Sequence, residues 1–432
     1  MIPKISAGTI YSVLGNNNSL VPLAVKDIAN SLGLTTASYL AGDKLEGKDR
    51  FIDEFGTQAI WLWGIPSYKF LLDKTLFKFA KLDSEIDPRI FKDKRIIALA
   101  KQFAPNVQIK ENIAKASKNQ KLFKGLFLAK FGISTVMTAL TYFGLTKFRH
   151  NYTEKQIKKD YFAYKNEQDK LKYIGQEIPF SSSFAQIHNP KNKNISFTGG
   201  IQEFMFNPVK NLMLVDGTIT GERLSHSRNP QDFLGYVIKE GSFWLFMYGL
   251  GGKIAKALEK HSESRYNKSI DLDARVIESE KFKQAFADGS IKSALNSFKI
   301  SGISNADIYK FAVNPQTDNL IIDMAKLSDI ITADKNTGIV DTRKYIDIED
   351  LKSVHKKIEK LLKQYQTSGQ DVDTFFNSLR KLKRVSVIKN IGACITALGV
   401  IAPAIMLAVR KFGDNKEYQV KKDIEAKLEQ LA

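Results

Sequence analysis

Cysteine and histidine, the side chains that most often bind transition metals, are scarce in this sequence. The single cysteine, Cys394, lies in an apolar run, which excludes an intrachain disulfide and predicts a small buried side chain. No two histidines have the three- or four-residue spacing that brings both onto one metal; they are His150, His188, His226, His261 and His355. The Gly-x-Ser-x-Gly turn of a serine hydrolase is also missing. We therefore predict no catalytic residue, no cofactor and no metal, and expect that the protein is not an enzyme.

Acidic residues are outnumbered by basic ones, with 46 Asp and Glu against 65 Lys and Arg and a formal net charge of +19. Such an excess suits a partner that carries phosphates, either a nucleic acid or anionic lipid headgroups. Lys outnumbers Arg by about four to one, whereas base readout and bidentate phosphate contacts favour the planar guanidinium. The composition therefore disfavours nucleic acid and favours a membrane with anionic lipids; it predicts no small-molecule substrate.

Two blocks of the chain match each other in register, which indicates an internal duplication. In the first block, residues 36–40 match 220–224 at an offset of 184. In the second, the apolar run 131–140 matches 391–400 at an offset of 260. The larger offset implies an insertion of about 75 residues in the second half.

The first block continues through an acidic position and an aromatic one. Glu54 aligns with roughly Lys239 or Glu240, and Trp61 aligns with Phe246. Chance similarity would not hold this register over roughly sixty residues. Each half therefore consists of a short aromatic segment, a charged helical stretch, a long apolar segment and a basic tail.

The insertion contains two runs rich in β-branched residues. Residues 327–332 and 339–348 flank a polar six-residue stretch, a pattern that predicts a β-hairpin followed by an amphipathic helix over 349–366. The stretch resembles half a calcium loop, but its glycine comes one position early and no bidentate Glu ends it, which favours an ordinary turn. The predicted fold class is mainly α, an internally duplicated helical membrane-associated protein with a small α+β insertion in its second half.

We divide the chain into five parts on this pattern. They are a first half over 1–150 with apolar segments near 55–72 and 125–146; a charged helix and flexible linker over 151–194; the start of the second half over 195–288 with an aromatic segment near 241–252; the insertion over 289–379; and the end of the second half over 380–432, with a transmembrane segment at 391–409 and a basic tail.

The long apolar segments predict membrane helices. Residues 391–409 form a run of 19 without a charge, enough to cross a hydrocarbon core of about 30 Å, and cations flank both ends. Its counterpart at 125–146 is interrupted by Lys130, which lies near one end, where a long side chain can reach the interface. A buried helix of a large soluble core is the alternative for 125–146.

The aromatic segments are too short to span a bilayer unaided. Trp61, Trp63, Trp244 and Tyr248 combine apolar rings with polar tips, which suits the membrane interface. Three interpretations stay open for these segments: a short tilted span, a re-entrant or interfacial helix, or aromatic side chains of a protein core.

Basic residues precede the aromatic segment in both halves. Arg223 and Arg228 lie in a dense polar stretch of the second half, and Lys44, Lys48 and Arg50 occupy the corresponding place in the first. Together they predict contacts to an anion or a lipid headgroup. A turn and helix cap is the alternative, and the local sequence favours it.

The combined pattern predicts a non-enzymatic membrane protein that acts as a structural, scaffold or anionic-lipid-interacting component, expected in a bacterial inner membrane without a cleaved signal peptide. A small transporter-like protein is the first alternative, because repeats and broken apolar helices recur in transporters. Against it, the apolar segments lack an acidic residue to couple an ion. A soluble, basic nucleic-acid-binding protein is the second alternative.

Overall fold

A computed structural model describes residues 6–16, 19–41, 44–172, 205–225, 227, 230–298, 302–334, 337–412 and 419–431. In these ranges the chain is almost entirely helical and has no β-strand, which confirms a mainly α fold.

We number the α-helices in chain order: α1 Ala7–Gly15, α2 Leu20–Leu40, α3 Lys44–Ala59, α4 Ile65–Leu72, α5 Lys94–Gln102, α6 Val107–Lys118, α7 Gln120–Lys172, α8 Pro208–Ser225, α9 Pro230–Trp244, α10 Gly251–Tyr266, α11 Ala274–Glu278, α12 Glu280–Ala287, α13 Ser290–Ser297, α14 Asn305–Val313, α15 Leu320–Leu327, α16 Ile348–Ser368, α17 Val372–Thr396, α18 Ala402–Phe412 and α19 Gln419–Leu431. Single π-helical turns lie at Ile60–Gly64, Asp73–Phe77, Leu245–Leu250 and Ala397–Ile401, and a 3-10 turn lies at Pro88–Lys92.

The chain forms two compact units that both draw on several stretches of sequence. Unit 1 comprises Met1–Pro22, Lys69–Ile133 and Gly252–Ile391. Unit 2 comprises Leu23–Tyr68, Ser134–Gly251 and Gly392–Ala432. The five-part division predicted along the chain stays a prediction.

Unit 1 has a conventional apolar core. Its buried rings pack edge to face, with Phe123 at 5.4 Å from Phe91 and Phe286 at 5.2 Å from Phe376 between ring centroids. Its short helices begin at side-chain caps, as at Ser304, whose hydroxyl accepts a hydrogen bond from the Asp307 backbone amide. Burial of apolar surface therefore stabilises this unit in the usual way.

The predicted β-hairpin of the insertion is not confirmed, since the described residues there form no strand. Residues up to Leu327 belong to helix α15, and the turn region keeps one antiparallel bridge, between Ala333 and Val340. Ile331, Val340 and Ile346 each bury in the helical core of unit 1, so tertiary packing outweighs the β-propensity of these runs. The described residues of the predicted α+β insertion therefore form helices and an irregular stretch between Leu327 and Ile348, without a strand.

The amphipathic helix predicted over 349–366 is confirmed as α16. Leu351, Val354, Ile358 and Leu361 recur at helical spacing and are buried. The helix begins at Asp347, whose carboxylate accepts from the Glu349 amide, and ends at Gly369 in the left-handed region.

Two helices of the described chain are long and apolar enough to cross a membrane on length and composition. They cover Gln120–Asn166 and Val372–Ala408, with a mean hydropathy of 1.4 and 2.2 in their best windows. The predicted spans 125–146 and 391–409 fall in these two helices, except for the last residue of the second.

Unit 2 exposes many large apolar side chains. Large apolar side chains are exposed on several of its helices: Leu40 is 72 % exposed, Trp63 65 %, Val136 57 % and Val400 61 %. The side chains that it buries include many charged ones, described next.

Candidate functional site: a buried ionic cluster

Helix α3 places charged side chains on its inner face. Asp49, Arg50, Asp53 and Glu54 follow helical spacing and are all buried, whereas Phe51 between them is half exposed. This is the reverse of a soluble amphipathic helix, in which the apolar residues face inward.

Asp53 is the hub of the cluster and is 1 % exposed. The Arg149 guanidinium lies 3.1 Å from its carboxylate, that of Arg223 lies 3.2 Å away and the Lys239 ammonium lies 3.4 Å away. Arg50 lies at 4.0 Å. Charges from α3, α7, α8 and α9 therefore neutralise one another in the interior of unit 2.

All three nitrogens of the Arg223 guanidinium donate hydrogen bonds. It donates to Glu240 at 2.5 Å, to Thr57 at 3.0 Å and to the Tyr142 hydroxyl at 2.7 Å. The last contact lies inside the predicted span 125–146, so the cluster reaches to the level of that apolar segment.

Arg149 extends the cluster along α7. It donates to the Tyr236 hydroxyl at 3.0 Å, and the neighbouring Thr153 hydroxyl donates to Asp49 at 2.5 Å. Arg50 stacks over Tyr236 at 5.5 Å from the ring centroid. Aromatic side chains thus shield the charges from one side.

A small cavity of about 20 Å³ lies beside the hub, enough space for about one water molecule. Four carboxyl side chains border it together with two cations, one amide and several less polar groups: Asp27, Glu54, Asp216, Glu240, Arg223, Lys239, Asn30, Thr57, Trp61, Ile219 and Phe243.

The structure brings some of the predicted anion-binding residues together and separates others. Arg223 and Arg50 are each 6 % exposed and face acidic side chains of the cluster, so their charges are already neutralised inside unit 2. Lys44 and Lys48 are exposed on α3. Arg228 lies outside the described residues.

The predicted interface aromatics divide in the same way. Trp61 is 4 % exposed, whereas Trp63 is 65 % exposed. The Trp244 indole donates to Thr220 at 2.9 Å, and the Tyr248 hydroxyl donates to Asp216. Only Trp63 of these four has the exposure of a side chain at a membrane interface.

The cluster was not predicted from the sequence, because its buried acids lie outside the apolar segments, just before the aromatic ones. A signal was present, because charges at 49, 50, 53 and 54 share one helical face while Phe51 and Phe55 share the other.

The described residues contain no group of three or more His, Cys, Asp or Glu side chains arranged to hold a metal ion. Compared with known protein families, curated proteins and solved structures, the chain matches none. The function must therefore be inferred from the cluster itself.

Proposed function

We propose that the protein is an integral membrane protein of two related halves, in which unit 2 lies in the bilayer and serves as a small transporter-like core. The observation that carries this proposal is the combination of a buried ionic network and exposed large apolar side chains in unit 2. Charged side chains lie inside, and large apolar side chains such as Val136, Leu140 and Val400 lie outside.

Water would disfavour the exposed apolar side chains of unit 2. Apolar area exposed to water costs about 25 cal/mol per Å². In a bilayer the apolar exterior meets lipid, and ionisable groups are tolerated where they face the bundle interior and pair with one another. The interior of unit 1, by contrast, is an apolar core.

The duplication is supported by matching elements. The π-helical turns Ile60–Gly64 and Leu245–Leu250 follow α3 and α9, and they begin 185 residues apart. Lys239, one of the two positions that align with Glu54, lies 2.6 Å from it. Contact between aligned positions is the arrangement that a two-fold axis through the pair would give.

A transporter-like role is favoured over a scaffold by the chemistry of the interior. A scaffold needs no buried charges, and apolar replacements of buried ion pairs are often at least as stable. Intramembrane ionisable residues mark ion and substrate pathways, and single π-turns occur frequently at functional sites.

A lipid-interacting role has separate support at the start of α3. Lys44 and Lys48 are exposed there, and Trp63 is exposed in the π-turn that follows the helix. Exposed ammonium groups attract anionic headgroups by about 1 kcal/mol each near a membrane surface.

Membrane insertion can be tested by alkaline extraction followed by flotation with the vesicles. We expect the full chain to stay in the membrane pellet and to float, and we expect deletion of residues 391–409 to weaken this association. Recovery of the full chain in the supernatant would contradict insertion. Flotation separates inserted protein from aggregates, which also sediment.

A further inference from the structure

We propose that Asp27 and Asp216 are the proton-binding groups of unit 2, joined through a water molecule in the cavity between α2, α3, α8 and α9. This inference rests on the proposed transporter-like function, whose moving ion it names.

The cavity has an unsatisfied polar side chain. Asn30 is 1 % exposed and borders the cavity, and neither its amide nitrogen nor its carbonyl oxygen has a hydrogen-bond partner among the described groups. A buried amide without partners destabilises the fold, and a water molecule in the cavity would supply the missing hydrogen bonds. Asn30 can donate to such a water and accept from it.

Pairing of the charges leaves two carboxyl groups over. Glu240 pairs with Arg223 at 2.5 Å and Glu54 pairs with Lys239 at 2.6 Å. Within the described part of the chain, no Lys, Arg or His nitrogen lies within 4.0 Å of Asp27 or Asp216. Burial without a cation close by favours the protonated form of a carboxyl group over the ionised form.

The groups that face the two carboxyls restrict what can bind. Asp27 is close enough to interact electrostatically with Glu54, Lys239 and Arg223, and it hydrogen-bonds with the Gln58 amide. It follows the buried Lys26 in the sequence. Asp216 accepts a hydrogen bond from the Tyr248 hydroxyl and faces the Trp61 indole. The carboxyl groups of Glu240 and Asp27 also interact with it electrostatically.

These surroundings favour a proton over a metal cation. A metal ion needs several converging ligands, and the described residues contain no group of three or more His, Cys, Asp or Glu side chains arranged to hold one. A proton needs no such group, because it binds covalently to one carboxyl oxygen and can pass to the next through one water molecule.

Infrared titration of the full-length protein in detergent tests the site independently of membrane insertion. We expect C=O bands of protonated carboxyl groups at neutral pH that disappear at high pH, and we expect Asp27→Asn and Asp216→Asn each to remove a band. Asp318→Asn, at a side chain 91 % exposed, is the matched control and should remove none. A Glu259→Gln background is needed, because burial raises the pKa of Glu259 in unit 1 to about 7.

Absence of these bands in the parent protein would overturn the proposal even if an Asn variant failed to fold. A thermal midpoint that rises with Na⁺ at constant ionic strength would also overturn the proposal if Asp27→Asn abolished this rise. The site would then hold a metal cation.

Proteoliposomes test the link to transport. With a potassium diffusion potential imposed by valinomycin, we expect proton entry, followed by a pH-sensitive dye inside, to be lost in Asp27→Asn and Asp216→Asn and kept in Asp318→Asn. Proton flux that persists in both Asp27→Asn and Asp216→Asn would show that these two residues do not carry the proton. If the parent protein shows the carboxyl bands but no proton flux, the proton-binding site stands and the transporter-like function is wrong.

Discussion

Asp53 shows how much of unit 2 depends on single residues. Three cations lie within 3.4 Å of its carboxylate, and no solvent reaches it to replace them. A buried ion network gains little over apolar packing as a whole, but loss of one member leaves charges that nothing neutralises.

Asp53→Asn should therefore destabilise the protein by about 3–5 kcal/mol, the usual range for a broken buried pair. Thermal unfolding in detergent, followed by tryptophan fluorescence, measures the effect. Asp318→Asn should change stability by less than about 0.5 kcal/mol, because that carboxylate is exposed. Equal midpoints for the two variants would show that the buried network does not hold unit 2 together.

Asp27→Asn should behave oppositely to Asp53→Asn. Since Asp27 has no ionic partner among the described residues, the neutral amide imitates its protonated form and leaves no charge unpaired. We expect a midpoint equal to or above that of the parent protein at high pH. A loss as large as that of Asp53→Asn would mean that Asp27 is ionised in the folded protein.

Glu259 in unit 1 predicts a pH dependence of stability. Burial raises its pKa from 4.5 to about 7, although its carboxylate accepts from the Ile270 amide at 2.8 Å and from the Ser269 hydroxyl at 2.6 Å. The folded state binds this proton more tightly than the unfolded state. The stability from this group is therefore full at low pH and falls as pH rises from about 4.5 to about 7.

Glu259→Gln should flatten that part of the stability profile, measured by thermal unfolding between about pH 5 and pH 8. A slope that remains unchanged in the variant would assign the pH dependence to another group.

At the scale of the element, a close helix crossing holds α2 against the π-turn Ala397–Ile401. A Cβ atom built on Gly33 would overlap the carbonyl oxygen of Gly399, and one on Gly399 would lie 3.0 Å from the carbonyl oxygen of Ala29. Small residues let helix backbones approach this closely in membranes.

Gly33→Ala should consequently cost about 1–3 kcal/mol, because backbone must move to admit the methyl group. Gly144→Ala is the matched control within unit 2, since nothing lies within 4 Å of its added Cβ. That control should stabilise its helix by about 0.5–1 kcal/mol. Thermal midpoints of the two variants test the crossing, and two similar midpoints would argue against it.

The elements also show what sequence can and cannot predict. Helix α16 was predictable within two residues at either end, because its apolar positions repeat at the helical period. The hairpin failed because runs of β-branched residues fit a helical core as well as a strand. The ionic cluster depends on contacts such as Asp53 to Arg223, 170 residues apart, and periodicity carries no information about such pairs.

At the scale of the whole molecule, one chain combines two kinds of interior. Unit 1 buries aromatic and aliphatic side chains, whereas unit 2 adds a hub of acids and bases. The +19 charge of the chain is compatible with both the anionic-lipid contacts and the membrane insertion proposed for unit 2.

The polarity of the surroundings of unit 2 is the most direct test of the account. Spin labels on single cysteines at Leu140 and Val400 report whether lipid or water surrounds each position, with Cys394, which is buried, replaced by Ala. Val107 of unit 1, 71 % exposed, is the reference. In reconstituted protein we predict that oxygen reaches the labels at 140 and 400 while a water-soluble nickel chelate reaches only the label at 107. Equal access of the chelate to all three labels would show that unit 2 is surrounded by water and would contradict its place in the membrane.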